Sequence, residues 1–173
     1  SGPQVVMLQE ALKAAGFDPG TIDGEYGGGT LRAVWAFNAL SGNGSHSVVT
    51  PGALNALKAG WRPTPRREDL GPNRTEIDLT LQTLVLYQDN VPRLITHVSS
   101  GTGEHYCEAA KSRDENEPPA TMRNGEPKEV CGDADTPTGD YDYGRRESKW
   151  YRSELGQLYN PVFFNGGIAV HGA

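Results

Sequence analysis

Apolar residues recur at helical spacing near the start of the chain. Val5, Leu8, Leu12 and Ala15 lie three or four positions apart, which predicts a helix with one buried stripe, closed by Gly16 as its C-terminal cap. A turn-rich loop follows at Phe17-Asp18-Pro19-Gly20-Thr21-Ile22-Asp23-Gly24. Pro-Gly and Asp-Gly mark turns because glycine accepts positive φ and proline presets its own. Leu31, Val34, Phe37 and Leu40 predict a second helix after Thr30. Thr50-Pro51 opens a third, with threonine as N-cap and proline at the first helical position. Leu54 and Leu57 form its apolar face. The pattern then changes. Gly60 to Asn73 carries three prolines, many charges and little periodicity, and is expected to be a semi-rigid connector.

From Thr75 the period shortens to two. Ile77, Leu79 and Leu81 alternate with polar residues, predicting a strand with one buried face. Leu84-Val85-Leu86-Tyr87, a turn at Asp89-Asn90, and Leu94-Ile95-Thr96-His97-Val98 continue a meander. Its turns are too short for parallel crossovers. Residues 101–135 hold nine acids and four bases and few apolar residues, so the stretch builds no core of its own. Thr136 to Tyr143 returns to turn and strand. Near the end, Ile168-Ala169-Val170 reads as a buried strand that delivers His171 to its tip.

Composition narrows the choices. A chain of 173 residues holds one or two small domains. A net charge of −6 argues against a nucleic-acid partner, which needs a basic face. No long apolar run is present to span a membrane, no leader peptide is recognisable, and Ser1-Gly2-Pro3 resembles a trimmed start. Frequent glycine and proline, 22 and 12 residues, favour turns and β-structure over long helices. Cys107 and Cys131 are the two cysteines. In an exported protein such a pair is expected to form a disulfide, and two are too few for a four-thiolate zinc site. His46, His97, His105 and His171 are scattered without metal-ligand spacing. That counts against a zinc peptidase, and no metal or other cofactor is implied. His97 reads as a packed or exposed strand residue and His105 as loop structure. Arg66-Arg67 could touch an anionic polymer or form a solvated charge run. His171 has the side chain suited to proton transfer near neutral pH. By residue type alone, a structural histidine beside a glycine turn is the favoured reading, which the upstream motifs reverse.

Val6-Met7-Leu8-Gln9, Gly16-Phe17, Gly20-Thr21-Ile22-Asp23-Gly24, Gly27, Thr30, Ala33-Val34, Phe37 and Thr50-Pro51 through Leu57 together resemble the peptidoglycan-binding type 1 module. Asn38 stands where glutamine is usual, and Gly42-Asn43-Gly44-Ser45-His46-Ser47 is a looser loop than usual. The resemblance implies wall binding. Asp23 and Tyr26 are candidate ligand contacts, with a turn role as the alternative for Asp23.

A second set lies downstream: Ile77-Asp78-Leu79 with Gln82, Val98-Ser99-Ser100-Gly101, Thr136-Pro137-Thr138-Gly139, Asn160-Pro161 through Phe164, and Ile168-Ala169-Val170-His171-Gly172. In that order these resemble the L,D-transpeptidase catalytic domain (the YkuD family). The cysteine-bearing stretch resembles an insertion in secreted actinobacterial members. The implied fold class is α+β in two domains. A three-helix module at residues 1–59 and a connector at 60–73 precede a mainly β catalytic domain at 74–173, with a disulfide-tethered insertion at 101–135.

The implied activity is acyl transfer on peptidoglycan stem peptides. A cysteine thiolate attacks after meso-diaminopimelate, forms a thioester, and an acceptor amine resolves it into a 3→3 crosslink. The family pattern is an early His-Gly and then Ser/Thr-His-Gly-Cys. His171 matches the early histidine, the base that takes the thiol proton, and Gly172 would supply the carbonyl that orients its ring. Most of the oxyanion hole comes from backbone N–H groups around that cysteine. Neither Cys107 nor Cys131 follows a Ser/Thr-His-Gly. The nucleophile is therefore expected outside these residues, the domain to be C-terminally incomplete through truncation, cleavage or division between chains, and the 173-residue chain to be inactive. The implied location is the bacterial cell wall, after secretion, with peptidoglycan stems and glycan as partners. The alternative function is a non-catalytic wall-binding protein.

Overall fold

The computed structural model describes residues 1–44 and 46–172. Ser45 of the loop at 42–47 and Ala173 of the terminal run lie outside the described residues. Helix α1 (Pro3–Ala14) buries Leu8, Gln9, Ala11 and Leu12. It closes as its glycine predicts. Gly16, at φ +98°, donates its N–H to Lys13 O at 3.1 Å, and the Phe17 N–H reaches Leu12 O at 3.0 Å. These paired bonds satisfy carbonyls that the helix leaves open. Helix α2 (Gly28–Leu40) starts before Thr30 rather than after it. Gly29 permits this: a Cβ there would lie 2.7 Å from Pro19 O. Helix α3 (Pro51–Lys58) is capped by Thr50, whose hydroxyl accepts the Ala53 N–H at 3.2 Å.

The chain divides into two compact units, Ser1–Ser99 and Ser100–Ala173. In the first, a three-stranded antiparallel sheet of β1 (Arg74–Asp78), β2 (Thr83–Gln88) and β3 (Val91–His97) adds Val85, Tyr87 and Ile95 to the core made by Leu8, Leu12, Phe17, Val34, Phe37 and Leu57. Trp61, at the head of the expected connector, packs against that core. Its ring centroid lies 5.9 Å from Phe17 and 5.2 Å from Phe37. The segment after α1 also pairs with β3, through Ile95 N–H to Gly16 O at 2.8 Å and Asp18 N–H to Ile95 O at 3.3 Å. Asp89 and Asn90 have φ of 52° and 60°. They make the two-residue hairpin turn anticipated from their residue types.

The Ile77-Leu79-Leu81 alternation does not continue as a strand. β1 stops at Asp78, whose Oδ1 accepts the Thr80 and Leu81 N–H groups at 2.9 and 2.8 Å. Ile77 is exposed, and Arg74 is the buried residue of β1. Nε and Nη1 of the guanidinium find partners locally, while buried Nη2 has none among the described residues. Nε donates to Glu76 at 2.8 Å, Nη1 donates to Gly71 O and Asn90 Oδ1 at 2.8 Å each, and the plane lies 4.2 Å over the Tyr87 ring. Paired in this way, a charge tolerates burial.

The second unit contains a hairpin, β4 (His105–Ala109) with β5 (Glu129–Asp133), and a separate antiparallel sheet of β6 (Trp150–Ser153), β7 (Gly156–Asn165) and β8 (Ile168–Gly172) in that order. The hairpin lies inside the acidic stretch. Its ladder needs no apolar core, because backbone bonds and a disulfide hold it. Cys107 sits opposite Cys131, bonded, with Cα atoms 4.1 Å apart. His105 therefore belongs to a strand, not a loop. Thr136 to Tyr143 forms no strand; Pro137 lacks an N–H to pair and Gly139 takes φ +141°. The terminal strand forms, but Ile168, Ala169 and Val170 are half-buried rather than buried. No described helix is long and apolar enough to cross a membrane.

Candidate functional site

Strand β8 carries His171 on its exposed end. The imidazole Nδ1 lies 2.8 Å from the Gly172 carbonyl oxygen. A carbonyl can only accept, so the ring proton sits on Nδ1 and the Nε2 lone pair remains able to take one. The neighbouring strand is irregular at this level. Tyr159 pairs with Gly172 and Val162 with Val170, so both Asn160 and Pro161 stand opposite His171. That is a β-bulge, a device that re-aims side chains. Asn160 takes φ +47° and is clamped beside β6. Its N–H donates to Lys149 O at 2.8 Å, and its Oδ1 accepts the Lys149 N–H at 2.6 Å. Trp150, Tyr159 and Gly172 form one cross-strand row, with the two aromatic rings 5.1 Å apart.

Two other segments of the second unit come together although 35 residues separate them. The Gly101 N–H donates to Thr136 Oγ1 at 2.9 Å, and the Gly103 N–H donates to Ala134 O at 3.0 Å. The Tyr141 hydroxyl then donates to Thr138 O at 3.1 Å. The acidic stretch is thus an excursion whose two ends meet. His105, Cys107 and Cys131 have potential ligand atoms within 4.8 Å of one another. Both sulfurs are spent on the disulfide, so neither offers a thiolate to a metal.

The loop between α1 and α2, in the first unit, carries Asp23 and Tyr26. Asp23 Oδ1 accepts from Gln9 Nε2 at 3.0 Å and from the Glu25 N–H at 2.8 Å. The Gln9 bond, and after it the backbone bond, hold this carboxyl below its ordinary range. The Tyr26 hydroxyl donates to Ser47 O at 2.5 Å, and burial pushes its pKa up. Gln9, 1% exposed, organises the loop. Its amide nitrogen lies within 3.1 Å of Thr21 O, Asp23 Oδ1, Glu25 O and Thr30 Oγ1, and its Oε1 accepts the Gly24 N–H at 2.9 Å. Gln9 lies within the module's first motif, whose residue types do not display this role. The available signal was a polar residue beside Leu8 and Leu12 on the buried stripe. A cleft of about 350 Å³ between α1 and α3, lined by Met7, Glu10, Ala11, Leu57, Lys58 and others, includes neither Asp23 nor Tyr26.

Residues 1–42 match the family described as a peptidoglycan binding domain. No curated protein sequence matches the chain. Among solved structures it is similar to the L,D-transpeptidase of Xylanimonas cellulosilytica, at 36% identity and a TM-score of 0.77, over 100% of this chain and 76% of that one.

Proposed function

The chain belongs to the L,D-transpeptidase family, and from that premise we propose that it serves peptidoglycan crosslinking as a wall-bound cysteine acyltransferase. The carrying observation is the His171 Nδ1 bond to the Gly172 carbonyl. It fixes the tautomer that a general base needs, with Nε2 left to take a proton from an attacking thiol. The thiolate then attacks the L-centre carbonyl of a meso-diaminopimelate. A thioester forms as the stem's terminal residue leaves, and an acceptor amine displaces the sulfur to give a 3→3 crosslink. Cys107 and Cys131 are bonded to each other, so this mechanism requires a thiol from outside the 173 residues. The family match at residues 1–42 supports peptidoglycan as the partner and the cell wall, after export, as the place of work. Asp23 and Tyr26 are the proposed ligand contacts.

The decisive experiment is acylation by a carbapenem, followed by intact mass. The 173-residue polypeptide forms no adduct. A form that carries a Ser/Thr-His-Gly-Cys segment does, and His171→Ala in that form slows acylation by roughly 10²–10⁴-fold. An unimpaired His171→Ala variant removes His171 from the mechanism. Residues 1–99, which include every strand that shares the helical core, are expected to sediment with insoluble peptidoglycan. Sedimentation with no acylation by the longer form would leave a wall-binding protein without catalysis.

A further inference from the structure

The β4–β5 hairpin places two cross-strand pairs on one face. His105 stands opposite Asp133, and two positions along each strand Cys107 stands opposite Cys131. Asp133 Oδ1 lies 2.8 Å from His105 Nδ1. A carboxylate there accepts, so Nδ1 bears the proton and Nε2 is directed elsewhere. Nε2 lies 3.7 Å from Cys107 Sγ. The result is a carboxylate, an imidazole and a sulfur in sequence, with the ring's hydrogen-bond contact directed to Cys107 Sγ. Stability does not account for the arrangement. His105 and Asp133 side chains are each 65% exposed, and pairs so exposed contribute little. Both cysteines are exposed as well, so a small reagent can reach them.

We infer that the Cys107–Cys131 disulfide is a thiol-exchange site for low-molecular-weight thiols, in which His105 makes Cys107 the leaving sulfur and Cys131 the sulfur attacked. An incoming thiolate forms a bond to Cys131 Sγ. The Cys107–Cys131 bond breaks, and its electron pair goes to Cys107 Sγ. Protonated His105, held by Asp133, receives that charge at Nε2 and can pass its proton to the sulfur. A second thiolate attacks the exogenous sulfur of the mixed disulfide, releasing a small-molecule disulfide and the Cys131 thiolate. Two thiols are oxidised and one protein disulfide is reduced, and the two protons the incoming thiols lose end on the two cysteines. The asymmetry follows from leaving-group chemistry. A cationic imidazole lowers the pKa of an adjacent thiol, and the sulfur of lower pKa departs faster. His105 is catalytic in this exchange and Asp133 is a positioning residue.

The test uses the folded oxidised protein and 2-mercaptoethanol, a small thiol whose only charge is that of the attacking thiolate. Reaction is stopped with N-ethylmaleimide, and both the rate of disulfide loss and the site of the mixed disulfide are read by mass spectrometry. The wild type is expected to carry the mixed disulfide mainly on Cys131. His105→Gln should slow exchange roughly tenfold and divide the adduct evenly between the cysteines. Asp133→Asn should weaken both effects without abolishing them. A packing role for His105 would leave the partition unchanged. Equal labelling of Cys107 and Cys131 in the wild type, or a His105→Gln variant with unaltered rate and partition, overturns the proposal. Intact mass before reduction establishes that each variant has formed its disulfide.

Discussion

In residues 1–99, Leu12, Phe17, Val34, Phe37 and Ile95 are each at most 1% exposed and meet in one cluster of helices and sheet. From Ser100 onward, the described buried apolar side chains are Ala110, Pro161 and Phe163. The first unit rests on removing hydrocarbon from water, which is collective and spread over many contacts. The second relies on strand ladders, one disulfide, the Arg145 guanidinium over Phe163 and Tyr151, and ion pairs such as Lys128–Glu154 and Arg152–Glu115. Exposed ion pairs add little, so its covalent tie and backbone pairing matter more. The contrast also sorts chemistry. The buried unit carries the loop expected to bind the wall, while the exposed unit presents histidine and sulfur to solvent.

The sharpest challenge to this contrast is Phe37→Ala, which empties the centre of the aromatic cluster formed with Phe17 and Trp61. It is expected to cost the first unit about 3–5 kcal/mol in urea unfolding; a loss under about 1 kcal/mol would mean its core is not what holds it. Comparable in size is the paired change Cys107→Ser with Cys131→Ser. Opening a loop with a sequence separation of 24 should cost about 3.5 kcal/mol. The loss should appear as faster amide exchange in β4 and β5, and unchanged exchange there would transfer the credit to the ladder. Gln9→Leu should follow at about 1–3 kcal/mol, because it leaves the buried Gly24 N–H without its acceptor. The same variant should loosen exchange from Thr21 to Thr30 if Gln9 organises that loop.

The smallest effect is a pH dependence inside the first unit. Burial, and secondarily the positive Arg32, hold His97 below its ordinary 6.5, beside Trp35 at 5.3 Å. Between the folded value and 6.5 the unfolded state binds more protons, so stability rises with pH across that window. It is fully present above 6.5, falls as pH drops toward the folded value, and is flat below it. His97→Asn should remove this slope from urea midpoints measured between about pH 7.5 and 5.

How much of this was readable beforehand depended on how local each cause is. Gly16 as a helix stop, Thr50-Pro51 as a helix start and Asp89-Asn90 as a turn are decided by a residue and its immediate neighbours, and all three form. The Ile77-Leu79-Leu81 pattern misled because Asp78 turns the chain and Arg74 takes the buried place, finding Glu76, Gly71, Asn90 and the Tyr87 ring, a set of partners no periodicity displays. The β4–β5 hairpin escaped for the opposite reason: few of its residues are apolar and none is buried, and its stability is covalent and backbone-borne. At the candidate catalytic end, His171 at a strand tip and the carbonyl of Gly172 were legible as types in order. The bulge of Asn160 and Pro161 was not, since register is settled by pairing between distant residues.

The meeting of Gly101 with Thr136 has a consequence for how this gene region can change. Because the excursion leaves and re-enters the unit at a sealed neck, with the cross-strand sulfur bond further out, the tip beyond β4 and β5 is a port for foreign sequence. The turn closed by Met122 and Glu126 is the natural splice point. Each doubling of the segment there costs only about 0.6 kcal/mol in closure entropy. Lineages, or engineers, can therefore fit new tips of different length and charge to the same stalk while the Thr136-Pro137-Thr138-Gly139 segment below keeps its tether.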